Sequence, residues 1–235
     1  GYPMSKNRIR IFVNLIVFGF AMPAVLYLGI TVFEDRKYYM ISLCVIALSC
    51  IPFFISFERR KPQPREILTI AVMAAISVAG RCLFVATPGF KPVTAITAIT
   101  GFALGAEAGF LTGALSALVS NMFFGQGPWT PFQMFTWGMI GFVAGLLGKT
   151  KWITKKVPLV LFGIFAGIFF SFGMDIWGAI STYGVFETEA YVLALASAIP
   201  FTIIYAVSNV IFLLILTKPL MEKLTRIKIK YGMMQ

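Results

Sequence analysis

Eight apolar stretches fill most of this chain, and nearly all of its charge lies in the short connections between them. They cover residues 11–33, 40–57, 67–87, 93–104, 109–124, 133–147, 158–180 and 191–217. A helix needs about 20 apolar residues to cross the roughly 30 Å hydrocarbon core of a bilayer. Inside lipid only helices and closed barrels pair every backbone N–H and C=O. Hydrophobic residues make up 59% of the chain and charged residues 12%, about half the charge of an ordinary soluble domain. The expected fold is an all-α, polytopic membrane helical bundle.

Charge fixes the orientation. With the N-terminus in the cytoplasm, threading the eight stretches puts almost every basic residue inside. Of the 20 Lys and Arg, only Arg36, Lys37, Arg81 and Lys91 fall on the outer side or at outer helix ends. Basic loops stay in the cytoplasm, so both termini are expected on that face of the cell membrane. The same scatter accounts for the net charge of +11 and argues against nucleic acid as a partner. Segments 88–92, 125–131 and 183–189 then lie outside. Residues 58–65, charged and interrupted by Pro62 and Pro64, mark the best internal boundary. Residues 1–3, ahead of Met4, read as a cloning remnant. Residues 4–64 read as an N-terminal two-helix extension, and 65–235 as the main membrane domain with a basic cytoplasmic tail.

Several chemistries have little to work with. The chain has no histidine, which removes the usual general base and the commonest metal ligand. Cys44, Cys50 and Cys82 sit singly in apolar runs, so neither a metal site nor a disulfide framework is expected. No cofactor is expected. No glycine-rich phosphate loop ends in Gly-Lys-Ser/Thr, so ATP binding within this chain is not expected. Neither a Ser–Lys nor a paired-carboxylate constellation is present, which argues against an enzyme. A free-standing secondary transporter would need a coupling-ion site, and its candidate carboxylates, Asp175 and Glu107, are expected at opposite faces.

Residues 121–137 (Asn-Met-Phe-Phe-Gly-Gln-Gly-Pro-Trp-Thr-Pro-Phe-Gln-Met-Phe-Thr-Trp) break the apolar pattern on the outer side. Gly125, Gly127, Pro128 and Pro131 do not fit together in a regular helix. Asn121, Gln126, Trp129, Thr130, Gln133 and Trp137 gather the amides, hydroxyl and indoles of a ligand pocket, with Trp177 expected at the same level. The plainer reading is a turn with tryptophans in the interfacial aromatic belt.

Arg81 and Asp175 are expected about 24 Å up from the cytoplasmic ends of their helices. Each is costly near the bilayer centre, on the order of 2.5–3.5 kcal/mol, less towards the interface. The plain readings are a structural ion pair between them or Arg81 snorkelling to the interface; the alternative is that the pair borders the ligand site, where Lys91 is also expected. Ala71, Ala75 and Ala79 recur every fourth residue and share one helix face, suited either to internal packing or to docking of another membrane subunit. Gly101, Gly105, Gly109 and Gly113, and likewise Gly138, Gly141, Gly145 and Gly148, read as close-packing stripes.

Three stretches carry a family resemblance: 65–81, 91–120 and above all Gly125-Gln126-Gly127-Pro128-Trp129-Thr130-Pro131-Phe132-Gln133-Met134-Phe135. They resemble the substrate-binding S component of energy-coupling factor (ECF) transporters, ATP-driven vitamin importers, and more closely the cobalamin (vitamin B12) type. The resemblance implies a six-helix S fold over residues 67–217, preceded here by two extra helices. It implies a vitamin site under the outer loops 88–92 and 125–131. It implies docking of Ala71 and Ala75 on a membrane T component, with two cytoplasmic ATPases driving the cycle and the S component toppling in the membrane. Riboflavin or another vitamin is the alternative ligand. Extra helices packed over Ala71 and Ala75 would conflict with simple toppling.

Overall fold

The structure is a computed structural model that describes residues 38–59, 61–150, 152–183 and 186–232. The first expected span, 11–33, and residues 1–3 lie outside the described residues. Among the described residues there are seven helices and no strand. They are α1 (Tyr38–Arg59), α2 (Pro64–Leu83), α3 (Val93–Leu104), α4 (Ala106–Phe124), α5 (Thr130–Leu147), α6 (Lys156–Tyr183) and α7 (Thr188–Tyr231). By length and composition α2, α5, α6 and α7 are each able to cross a membrane.

The core is built around α3. All twelve of its residues are buried, because α2, α4, α5 and α7 pack around it. Glycine makes the closest of these approaches possible. A Cβ on Gly109 or Gly141 would run into the backbone of the other, and one on Gly101 would strike the Gly141 carbonyl. The glycine stripes are therefore the contact lines of α3, α4 and α5, where small residues let backbones meet. The α3–α4 turn needs Gly105, whose φ of 99° is one that L side chains rarely adopt.

Two boundaries differ from expectation. The expected break at 121–137 is short: α4 runs to Phe124 and α5 begins at Thr130. Pro131 sits in the first turn of α5, where its missing N–H costs nothing. The basic tail is not separate, since α7 continues for 44 residues to Tyr231. Leu220, Met221 and Leu224 recur at helical spacing there and pack onto the core.

Helix α1 lies across α4 and α5. Phe53 stacks on Phe110 with centroids 4.0 Å apart, and Ser56 Oγ donates to Glu107 Oε1. The Ala71, Ala75 and Ala79 face of α2 is exposed. Internal packing of that face is thus not observed among the described residues, and α1 does not cover it.

Candidate ligand-binding site

A cavity of about 110 Å³ opens at the end of the bundle that carries loop 84–92 and the α4–α5 turn. Its aromatic wall is Trp137 of α5, Phe170 of α6 and Tyr205 of α7. Trp137 and Phe170 stack at 4.9 Å with 17° between their planes. Tyr205 meets Phe170 edge-on at 5.2 Å. The indole N–H of Trp137 donates to Thr94 Oγ1 at 3.2 Å, which fixes the ring's orientation. Arg81, Lys91, Gln133 and Asn209 supply the polar lining. Gly89 and Val93 complete it.

Arg81 is buried at 8% exposure. An unpaired charge at that depth is costly, so its contacts matter. Its Nη1 donates to Ser120 Oγ and to Asn121 Oδ1 at 2.8 Å. The guanidinium also lies 4.6 Å from the Phe124 ring centroid and 5.4 Å from that of Trp137, in cation–π range. Its buried Nε has no hydrogen-bond partner among the described residues.

The Asn121 amide carries the network onward. Its Nδ2 donates to Gln133 Oε1 at 2.8 Å and to Thr130 Oγ1 at 2.9 Å. Thr130 Oγ1 donates to Gln126 Oε1 at 2.9 Å, and Gln126 Nε2 donates to the Leu118 carbonyl at 2.8 Å. One chain of hydrogen bonds thus ties α2, α4, α5 and the 125–129 turn together.

Lys91 enters from the loop. Its backbone N–H donates to Ser208 Oγ at 2.9 Å, and that hydroxyl donates back to the Lys91 carbonyl at 3.1 Å. Burial, with the nearby Arg81 charge adding to it, holds the Lys91 ammonium below the usual lysine range.

The sequence-derived candidates therefore divide. Arg81, Lys91, Gln133 and Trp137 line the cavity. Asn121, Thr130 and Gln126 do not line it but hold those that do. Trp129 packs over Gly127, where a Cβ would strike its ring. Trp177 packs on Phe132 at 5.6 Å. Asp175 accepts from Ser171 Oγ at 3.2 Å, so neutral hydrogen-bond partners for each stand in place of an Arg81–Asp175 pair. Sequence reading missed Thr94, Phe170 and Tyr205, which sit in unbroken apolar helices. The Asn209 Nδ2 donates to the Gly163 carbonyl at 3.4 Å, and the residue also lines the cavity.

A family model described as "ECF-type riboflavin transporter, S component" matches residues 61–226. No curated protein matches the chain.

Proposed function

The chain belongs to the ECF-type riboflavin transporter S component family, and from that membership we propose that it captures riboflavin in the cavity beneath loop 84–92. An S component is the non-catalytic, substrate-binding membrane subunit of such a transporter. The observation that carries the ligand reading is the Trp137–Phe170–Tyr205 wall set opposite Arg81 and Lys91. A flat tricyclic ring stacks on aromatic faces, and its carbonyl edge accepts from cationic and amide donors. Gln133 and Asn209 offer donors and acceptors to the rest of the ligand.

Size favours a flavin over the cobalamin reading. Ligand pockets generally measure roughly 300–1,000 Å³, so in this reading the cavity of about 110 Å³ has to widen to take a vitamin. A flavin asks for less widening than a corrin with its axial groups.

Transport follows the family pattern in this reading. The exposed Ala71, Ala75 and Ala79 face docks on a membrane T component, and two ATPases supply the energy. Helix α1, seated on α4 and α5, leaves that face open and is compatible with toppling. Charge bias puts both termini in the cytoplasm.

The test is a titration of the purified chain with riboflavin, followed by quenching of flavin fluorescence, with cobalamin run alongside. Saturable quenching with no response to cobalamin is expected. Tight cobalamin binding without flavin binding would transfer the assignment to the corrinoid reading. Ion-gradient-driven uptake by this chain alone would instead favour a free-standing secondary transporter.

A further inference from the structure

Ser208 of α7 is fully buried, and its hydroxyl holds one residue of loop 84–92 at two points. Its Oγ accepts from the Lys91 N–H at 2.9 Å and donates to the Lys91 carbonyl at 3.1 Å. Lys91 lies between α2 and α3, so neither backbone group has a place in a helix ladder. Backbone groups left unpaired away from water are costly. Two other hydroxyls of α7 behave differently. Ser197 and Thr202 donate back to the carbonyls of Leu193 and Ala198, a local bond that hydroxyls inside helices readily make. Ser208 has one proton and directs it across to the loop.

Apolar contacts hold the same loop to the same face of α7. Phe84 and Phe90 meet Phe212 at ring-centroid distances of 5.2 and 5.1 Å. A Cβ on Gly89 would lie 3.0 Å from Ile204 and 3.2 Å from Tyr205. Such contacts are non-directional, so they hold the loop without fixing which side chain faces the cavity. Charge works against Lys91 staying there. Its Nζ lies 5.4 Å from the Phe124 ring centroid, and the Arg81 guanidinium lies 4.6 Å from the same centroid. The two cations repel, and the described residues lining the cavity include no carboxylate to offset them. A directional restraint on the backbone keeps the ammonium at the cavity. We propose that Ser208 is the positioning residue for Lys91, clamping its backbone so that the ammonium meets an acceptor on the bound vitamin. The proposal rests on the reading of this cavity as the vitamin site.

Hydrogen exchange of the full chain in detergent, without ligand and followed by mass spectrometry, reads the clamp directly. The Lys91 amide should exchange about fivefold faster in Ser208→Ala, the equivalent of one lost hydrogen bond, while peptides of α3 and α4 should be unchanged. Ser208→Cys, a weaker donor and acceptor, should fall between. An unchanged Lys91 amide in both variants overturns the clamp. Riboflavin titration reads the consequence. Lys91→Met should lower affinity about tenfold and Ser208→Ala about fivefold. Adding Ser208→Ala to Lys91→Met should lower it less than about twofold further, because the two changes remove one interaction. Ser197→Ala, whose hydroxyl bonds within its own helix, should bind as the unaltered chain does. Losses that multiply in the double variant would show that Ser208 acts without Lys91, and they overturn the proposal. Absence of riboflavin binding by the unaltered chain would overturn the vitamin reading instead, and the exchange result would still decide the clamp.

Discussion

Arg81 and Asn121 are joined by a 2.8 Å hydrogen bond that links a buried charge on α2 to an amide on α4. That amide is in turn the donor to Gln133 and Thr130. Hydrogen bonds to charged groups contribute about 1.5–3 kcal/mol each, and leaving the charge unpaired costs more. Asn121→Leu should therefore lower stability by about 3 kcal/mol and weaken ligand binding together. A melting curve and a ligand titration on the same preparation check this. An unshifted melting temperature would show that Arg81 has found other partners.

Trp137 contributes one face of the aromatic wall. Trp137→Ala removes the stack on Phe170 and the bond to Thr94. Riboflavin affinity should fall by roughly tenfold or more, since an aromatic pair contributes about 0.5–1.5 kcal/mol beyond its buried area. Trp137→Phe keeps most of the face and should fall between. Equal affinity in all three proteins would remove Trp137 from the binding wall.

The α4–α5 contact gives a sharper stability test. At Gly141 even one methyl meets the Gly109 backbone. Gly141→Ala should cost about 1–3 kcal/mol by overpacking, and Gly141→Leu should prevent recovery of monodisperse protein. Size-exclusion profiles of the two variants decide it. At Gly178 a Cβ would meet nothing within 4 Å, so Gly178→Ala serves as the tolerated control.

Docking and binding should separate. Ala71→Trp/Ala75→Trp changes an exposed face and is expected to block recovery of the full transporter while leaving vitamin affinity within about twofold, as surface changes away from a site usually do. Co-purification with the T component reads the first, titration the second. Intact assembly would place the docking face elsewhere.

Lys91 makes stability depend on pH. Its folded-state pKa lies below the unfolded value, through burial and then Arg81. Protonated Lys91 therefore opposes folding below its folded pKa. That opposition is relieved as pH rises from the folded pKa towards the unfolded value near 10.4. Lys91→Met should be the more stable protein at pH 7, with its advantage shrinking towards pH 10. Melting curves across that range test the slope; an advantage that grows with pH contradicts the assigned cause.

Helical spans, the outer turn and the glycine stripes were legible because lipid leaves the backbone few choices and because Gly and Pro punctuate strongly. Arg81, Lys91, Gln133 and Trp137 were legible because polar and indole groups stand out in an apolar chain. Phe170 and Tyr205 were not, since an aromatic in a membrane helix looks alike whether it faces lipid, core or cavity. Whether Arg81 and Asp175 pair was open in the sequence, which gives only their similar height. Height along two helices says nothing about rotation about their axes, and Ser120 and Asn121 on α4 were the nearer partners.

The complete burial of α3 bears on biogenesis. At twelve residues it rises about 18 Å, well short of the bilayer core, and in the finished protein it touches protein on every side. It is poorly suited to leave the insertion machinery as an independent span. The expected route is a hairpin with α4, closed at Gly105, that enters as one unit. It would meet α2, already made, and α5 and α7 would then close around it. A stalled chain ending soon after α4 should hold α3 exposed to chaperones, and one ending after α7 should not.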